Sequence, residues 1–238
     1  MKRLLLKLSG EQFAGEQGFG IDTDFIRALA QELKEVVTET KAEIVVVVGG
    51  GNFLRGATVA KSEKMIERAT ADYMGMLATI MNGMALVDIL EHFGQPARLQ
   101  TRLRIESVAE PFIRRRAIRH LEKGRVVIIG GGTGNPYVTT DTAAVSAALE
   151  LDCDIVLKAT KVDGVYTKDP REFPDADKIH KISYLDVLKD EHISVMDNAA
   201  ISLAMDHKLP IRIFDLLTHG NIKRIIQGEE VGTLVSEI

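Results

Sequence analysis

Ile44-Val45-Val46-Val47-Val48-Gly49-Gly50-Gly51-Asn52 decides how this chain is read. An unbroken aliphatic run is apolar on both faces, as in a parallel strand covered by helices on each side. The glycines that follow let backbone N–H groups approach an anion closely, and a helix beginning nearby would add its positive end. The pattern recurs at Arg125-Val126-Val127-Ile128-Ile129-Gly130-Gly131-Gly132-Thr133-Gly134-Asn135. Either turn alone is weak evidence, because glycine also serves turns that bind nothing. Two of them suggest related loops at one edge of a sheet, and a ligand with several phosphates or two phosphorylated ligands.

Outward from these turns, strand and helix patterns alternate. Lys2 to Leu8 reads as a strand, followed by a glycine-rich loop from Ser9 to Gly20. Asp22 is placed to cap a helix on which Ile21, Phe25, Leu29 and Leu33 recur every four residues. A long helical stretch, continuous or broken, is expected from about Ser62 to Phe93, a short strand at Ala97 to Gln100 and a helix from Glu110 to Leu121. Thr139 to Leu151 reads as an alanine-rich helix, Asp154 to Lys158 as a strand, and Asp163-Gly164 as a turn. A helix around Asp197 to His207, a strand Ile211 to Phe214, a helix around Asn221 to Ile226 and a strand near Thr233 to Val235 complete the pattern. This alternation predicts an α/β fold: a three-layer α/β/α sandwich around a mostly parallel sheet, with residues 1–238 as a single domain.

Composition narrows the function. Apolar residues at 45% and charged residues at 27% match a globular chain, which excludes disordered and fibrous classes. The longest aliphatic run, Ile44 to Val48, is strand-sized, so no membrane partner is expected. The opening Met1-Lys2-Arg3-Leu4-Leu5-Leu6-Lys7 has an apolar core too short for a signal peptide. A lone cysteine, Cys153, excludes an internal disulfide framework and a cysteine-based zinc site, and a cytoplasmic location is expected. The net charge of −4 argues against nucleic acid as a partner. Arg114-Arg115-Arg116, Arg119, Lys123 and Arg125 form one basic segment, read as a solvated or inter-subunit face. The histidines show no metal-ligand spacing, so no protein metal site is expected.

The familiar phosphate motifs are absent. No Gly-Lys dipeptide occurs, so there is no Walker A loop, and Asn135 stands where a Rossmann fingerprint wants Gly or Ala. Other charges near the glycine turns become the candidates. Lys7 closes an apolar strand directly before Leu8-Ser9-Gly10, where a lysine can reach into a ligand crevice as a point charge. The bland alternative is a lysine that snorkels to solvent. Asp141, after Thr139-Thr140, is either a helix cap or a carboxylate that orients lysines or a metal-bound phosphate. Lys158 ends its strand as Lys7 does.

Several blocks together resemble bacterial UMP kinases, within the amino acid kinase superfamily. They are Lys7-Leu8-Ser9-Gly10-Glu11, Gly15-x-x-Gly18-Phe19-Gly20-Ile21-Asp22, Gly49-Gly50-Gly51-Asn52 with Arg55-Gly56, and Asp72-x-Met74-Gly75-Met76-Leu77-Ala78-Thr79. The likeness continues through Gly132-Thr133-Gly134-Asn135-Pro136-Tyr137 with Thr139-Thr140-Asp141, then Leu157-Lys158-Ala159-Thr160-Lys161-Val162-Asp163-Gly164-Val165-Tyr166, Asp169-Pro170 and Asp206-His207-Lys208-Leu209-Pro210. It spans essentially the whole chain.

The resemblance implies transfer of the γ-phosphoryl group of ATP to UMP, giving UDP and ADP, with Mg2+. It implies ATP phosphates near Lys7, Leu8, Ser9, Gly10, Gly51 and Arg55, and the adenine side near Thr160, Tyr166 and Asp169. It implies UMP at Gly50, at Asp72 (a ribose contact) and along Thr133, Gly134, Asn135, Pro136, Tyr137, Val138, Thr139 and Thr140. Lys7, Arg55 and Asp141 are the implied catalytic group. Gly15, Glu16, Gln17, Gly18, Phe19 and Gly20 match a loop associated with an allosteric GTP site in many members. UTP is the expected inhibitor, and the family is typically a homohexamer.

Two positions depart from the family pattern. Val138 stands where an aromatic residue is usual, and Ala147 stands at or near a common arginine. Two other readings compete. A kinase that phosphorylates a carboxylate would need an arginine or nest in place of the Thr-Gly-Asn-Pro loop. A nucleotide-sensing module would not need Lys7, Arg55 and Asp141 together.

Overall fold

A computed structural model describes residues 2–54, 66–168, 173, 175–190, 193 and 195–237. Its centre is a nine-stranded sheet in the order β4-β3-β5-β2-β1-β6-β10-β11-β9. These strands are β1 (Arg3–Leu8), β2 (Glu43–Val48), β3 (Ala97–Thr101), β4 (Glu110–Pro111), β5 (Val126–Gly130), β6 (Ile155–Thr160), β9 (Lys181–Ser183), β10 (Ile211–Asp215) and β11 (Thr233–Ser236). Only the β10–β11 pairing within it is antiparallel. A separate antiparallel hairpin joins β7 (Val165–Tyr166) to β8 (Lys178–Ile179).

The alternation of side chains along β1 sorts the core into two faces. Leu4, Leu6 and Leu8 point with Ile44, Val46 and Val48 into one cluster. It is covered by α2 (Thr23–Thr40), α3 (Arg68–His92) and α8 (Asn221–Ile226), through residues such as Ile26, Leu33, Leu86 and Ile222. Leu5, Val45, Val47 and Val156 point the other way. There they meet α4 (Arg114–Glu122), α5 (Thr140–Glu150) and α7 (Asn198–Asp206), whose alanines let the helices approach closely. The three-layer α/β/α sandwich is thus the observed architecture. α3 is long and apolar enough to cross a membrane. Its Leu86 and Leu90 instead sit in the core beside Leu99 and Ile128.

Departures from the expected elements have local causes. The stretch Glu110 to Leu121 is not one helix: Glu110–Pro111 pairs with Gln100 and Thr101 as β4, and the helix begins at Arg114. Proline lacks the N–H a helix interior needs, and the Phe112 N–H goes to the Thr101 carbonyl at 3.0 Å. α3 begins at Arg68; residues 62–65, where the expected helical stretch starts, lie outside the described residues. The hairpin β7–β8, strand β9 and the short α6 (Tyr184–Lys189) were not expected. Asp22 caps α2 as expected, accepting from the N–H groups of Asp24 and Phe25. Cys153 packs in the core, where burial pushes its thiol up to about 12.

The strand order places the site. β1 has β2 on one side and β6 on the other, so the chain's first half spreads one way and its second half the other. Such a reversal opens a crevice at the carboxyl ends of the strands.

Candidate active site

Lys7 and Lys158 are partners in the β1–β6 register. Lys7 shares the parity of Leu5, and Lys158 that of Val156, so both side chains project toward the face on which α5 lies. The first turn of α5 presents Asp141 to them. Lys158 Nζ donates to both carboxylate oxygens of Asp141 at 2.7 Å, and Lys7 Nζ lies 2.5 Å from Oδ1. Lys7 is 5% exposed, so it does not snorkel to solvent.

The capping of α5 shows which role Asp141 has. Thr139 is the cap: its hydroxyl accepts from the Asp141 N–H at 3.0 Å, leaving the Asp141 carboxylate for the lysines. Thr139 in turn donates to Asp197, which also accepts from the Thr142 hydroxyl at 2.8 Å and from the Ala200 N–H at 2.9 Å. Asp197 therefore caps α7 and ties it to the start of α5.

Electrostatics follow from this geometry. Burial alone would raise the Asp141 carboxyl, but Lys7 and Lys158 outweigh it and hold it below the ordinary carboxylate range. Burial, with repulsion from Lys7, pushes the Lys158 ammonium down to about 8 despite Asp141. The arrangement holds two like charges side by side with one carboxylate between them, which suits a ligand bringing several negative charges.

The glycine turns border this group. Ser9 has extended backbone at the start of α1 (Gly10–Phe13), and its N–H donates to Gln12 Oε1 at 2.8 Å. Leu8 packs its side chain into the opposite core face. A Cβ at Gly10 would stand 2.3 Å from the Gly51 nitrogen, so the turn after β1 lies directly against the turn after β2. Gly50 is equally confined by α3, where a Cβ would meet the Gly75 carbonyl at 2.4 Å.

Asp72, one turn along α3 from Arg68, is not a free solvated carboxylate. It accepts from Arg68 Nε at 2.8 Å and from the Tyr137 N–H at 2.9 Å, which draws the 133–139 loop onto α3. The Arg68 guanidinium also lies 5.7 Å from the centre of the Tyr137 ring. Tyr137 has φ of 67° and is 72% exposed, an aromatic ring held outward by a strained backbone. Within the loop the Asn135 N–H donates to the Thr133 hydroxyl at 3.3 Å, and Gly134 lies beside Arg102. Pro136 precedes the strained Tyr137, and Val138 is exposed. Thr140 opens α5. Ala147 is fully buried in the core, against the β1 face that carries Leu5.

Thr160 is the last residue of β6, and Tyr166 lies beyond it in β7. The Thr160 hydroxyl donates to the Phe214 carbonyl at 3.1 Å, and the Tyr166 hydroxyl to Asp163 at 2.6 Å. Lys178 Nζ donates to the other Asp163 oxygen at 2.9 Å, fixing the hairpin against the turn. Gly15–Gln17 forms one 3-10 turn, and Phe19 packs edge-to-face on Phe53 at 5.8 Å. Gly18 follows that turn with a left-handed backbone, and Gly20 is bonded to Asn52. Arg55 and Asp169 lie outside the described residues.

The structure thus brings together Lys7, Asp141 and the facing turns of Gly10 and Gly51, and separately Asp72 with Tyr137. Lys158 completes the first group; a lysine closing an aliphatic run, as Lys7 does, was the signal for it, although β6 itself continues to Thr160. Asn82 and Asp197 were not singled out for a site, because what each does depends on a partner distant in sequence; Arg68 pairs with Asp72 one turn along the helix, and no motif marked it.

Comparisons with known proteins identify the family. A model of the amino acid kinase family matches residues 2–215. The structure is similar to a UMP kinase from Bacillus anthracis, with a TM-score of 0.93 and 40% identity over 99% of this chain and 96% of that one. It is similar to a UMP kinase from Ureaplasma parvum at a TM-score of 0.90 and 30% identity, covering 99% of both chains. A uridylate kinase from Archaeoglobus fulgidus matches at 0.76 and 27% identity over 99% of this chain and 100% of that one. The resemblance to bacterial UMP kinases read in the sequence is borne out over the whole length, and the chain belongs to the amino acid kinase family.

Proposed function

We propose that this protein is a UMP kinase, transferring the γ-phosphoryl group of ATP to the phosphate of UMP. The observation that carries the reading is the pair of lysines bridged by Asp141, facing the glycine turns at the sheet's topological switch. Donor and acceptor phosphates repel one another, so catalysis consists mostly of positioning and charge neutralisation, with no covalent nucleophile. Lys7 and Lys158 supply two point charges toward the transferring group. Asp141 keeps them apart and aimed before substrate arrives, which lowers the reorganisation needed in the transition state. Backbone N–H groups around Gly10 and Gly51 receive ATP phosphates, together with Ser9 and Arg55. Thr160, Tyr166 and Asp169 border the base of ATP. UMP lies at Gly50 and along Thr133 to Thr140, its ribose against Asp72.

No cluster of three acidic, histidine or cysteine side chains could hold a metal among the described residues. Asp141, the carboxylate in the crevice, is already engaged by two ammonium groups. These residues do not form a metal cage, so Mg2+ enters the reading as the counter-ion that ATP brings with it. UTP shares base and ribose with UMP and competes for the same place, and the Gly15 to Gly20 loop is the candidate GTP effector segment. A homohexamer is part of the same reading. It is supported by the outward face of α3, where Tyr73, Met74, Leu77, Met81 and Met84 form an exposed apolar stripe that a second copy would cover.

ADP release measured with UMP, CMP, dCMP, glutamate and acetylglutamate as acceptors tests the activity. UMP should be strongly preferred, because cytosine reverses donor and acceptor at the base edge and leaves buried groups unpaired. Turnover of a carboxylate acceptor, or none with any acceptor, would overturn the reading.

The depressed Lys158 adds a pH dependence. In the free enzyme its ammonium loses a proton around pH 8, so kcat/KM for ATP should fall above about pH 8. Lys158→Arg keeps its charge and should remove that alkaline limb. The stability effect runs the other way. The unfolded chain holds this proton to about pH 10.5, so burying the charged amine costs stability in full below about pH 8, and that cost is relieved as pH rises toward 10.5. Asp141 has the acid counterpart: its contribution is complete above the ordinary carboxylate range and is lost as pH falls through its depressed value. A pH–rate profile flat to pH 10 would show that Lys158 does not titrate in this crevice.

A further inference from the structure

We infer that Asn82, in the middle of α3, is a positioning residue for the phosphate turn, acting through a closed amide pair with Asn52. Asn82 is 0% exposed and Asn52 1% exposed. The two side chains bond reciprocally: Asn52 Nδ2 donates to Asn82 Oδ1 at 2.9 Å, and Asn82 Nδ2 to Asn52 Oδ1 at 2.7 Å. Each has one N–H left. That of Asn82 goes to the Gly49 carbonyl at 2.8 Å, and that of Asn52 to the Gly20 carbonyl at 2.6 Å. The Gly20 N–H returns to the Asn52 carbonyl at 3.2 Å.

Every donor of the pair is therefore used, and the bonds join three separate segments: helix α3, the turn after β2 and the end of the Gly15–Gly20 loop. A primary amide has two donors and an acceptor set at fixed angles, so each side chain can serve two segments at once. The need for it lies in the turn itself. Gly49, Gly50 and Gly51 have no side chains to hold their peptide groups in place. Backbone bonds orient the peptides on either side: the Gly49 N–H donates to the Leu8 carbonyl at 2.9 Å, and the Gly50 carbonyl accepts from the Phe53 and Leu54 N–H groups at 3.1 Å. At the peptide between them, the pressure of α3 on Gly50 is a contact of exclusion and sets no direction for an N–H. The bond from Asn82 to the Gly49 carbonyl does set one, because it fixes the plane of the Gly49–Gly50 peptide. Asn82 touches neither substrate in the proposed arrangement. It acts on them by fixing the backbone that receives phosphate.

The inference rests on the phosphotransfer reading above, and its test has one readout that depends on activity and one that does not. Asn82→Ala should lower kcat/KM for ATP by at least ~10-fold, since misplacing a cradle by a fraction of an ångström is costly even when the fold is kept. It should also speed amide exchange at Gly20, whose N–H is bonded to the Asn52 carbonyl, while amides of β1 keep their protection. Leu86→Ala, one turn along the same helix and fully buried, is the packing control. It should lower the melting temperature by about 5–15 °C and keep both kcat/KM and the Gly20 exchange rate.

If Asn82→Ala does not fold, Asn52→Ala breaks the same pair from the turn side and is read in the same way. The double alanine variant should lose little more than the worse single one, because the two amides act as a unit. Asn82→Ala with kcat/KM within twofold of the parent and unchanged exchange at Gly20 would overturn the inference. So would Leu86→Ala reproducing both effects. If the parent protein shows no transfer to UMP, the function reading fails, and the exchange measurement still decides the role of Asn82.

Discussion

Replacing Lys7 with alanine should lower turnover at least ~100-fold, the cost typical of losing one preorganised electrostatic contact to a transition state. Lys7 is buried, adjoins Lys158 across the β1–β6 register and meets the same Asp141 oxygen. Its loss takes away one of two charges facing the transferring group and leaves Asp141 to Lys158 alone. UMP affinity should change little, because the proposed arrangement puts the acceptor's ribose and base on α3 and the 133–140 loop. A second signature separates this from general damage. Repulsion from Lys7 is one of the causes that depress Lys158, so in the variant Lys158 should hold its proton to higher pH. The alkaline limb of the pH–rate profile should then shift upward. Steady-state kinetics across pH check both parts, and near-full turnover would place Lys7 outside the phosphate crevice.

That prediction uses residues that were legible in the sequence. β1, β2 and β5 announce themselves as aliphatic runs because they are buried on both faces, and the glycines after them mark the carboxyl edge where ligands bind. Lys7 and Lys158 stand out as charges at the ends of such runs. For Asp141 the pattern allowed two roles. Only the third dimension shows that Thr139 does the capping and that the carboxylate turns to the lysines.

The less legible features share one property. β4 is two residues long and exists because Gln100 and Thr101 offer it an edge, so nothing in Glu110-Pro111 itself signals a strand. Asp72 reads as a solvated helix carboxylate until the Tyr137 N–H, 65 residues away, is brought to it. Asn82 reads as an isolated polar residue in an apolar helix until Asn52 meets it. In each case the meaning lies in a partner that local propensity does not reveal.

Gly10→Ala should disable the enzyme through a methyl group alone. The added Cβ would stand 2.3 Å from the Gly51 nitrogen and 2.8 Å from both the Gly50 carbonyl carbon and Asn52 Oδ1. None of these atoms belongs to the free end of a flexible side chain. Two are backbone, and the third is locked in the amide pair with Asn82. The clash is relieved only if the turn after β1 and the turn after β2 move apart. Overpacking of this kind costs roughly 1–3 kcal/mol of stability. The larger effect falls on the reaction, because these two turns carry the N–H groups proposed to receive phosphate, and a shift of about 1 Å at such a site can cost ~100-fold in rate. Gly124→Ala separates the two effects. Gly124 follows α4, has φ of 70° and open space around its added Cβ, so alanine there meets only the backbone penalty of about 1–2 kcal/mol. It should lose comparable stability and keep its turnover. Thermal melts and kcat measured on both variants decide the matter, and Gly10→Ala with near-parental kcat would mean that the approach of the two turns does not set the geometry of transfer.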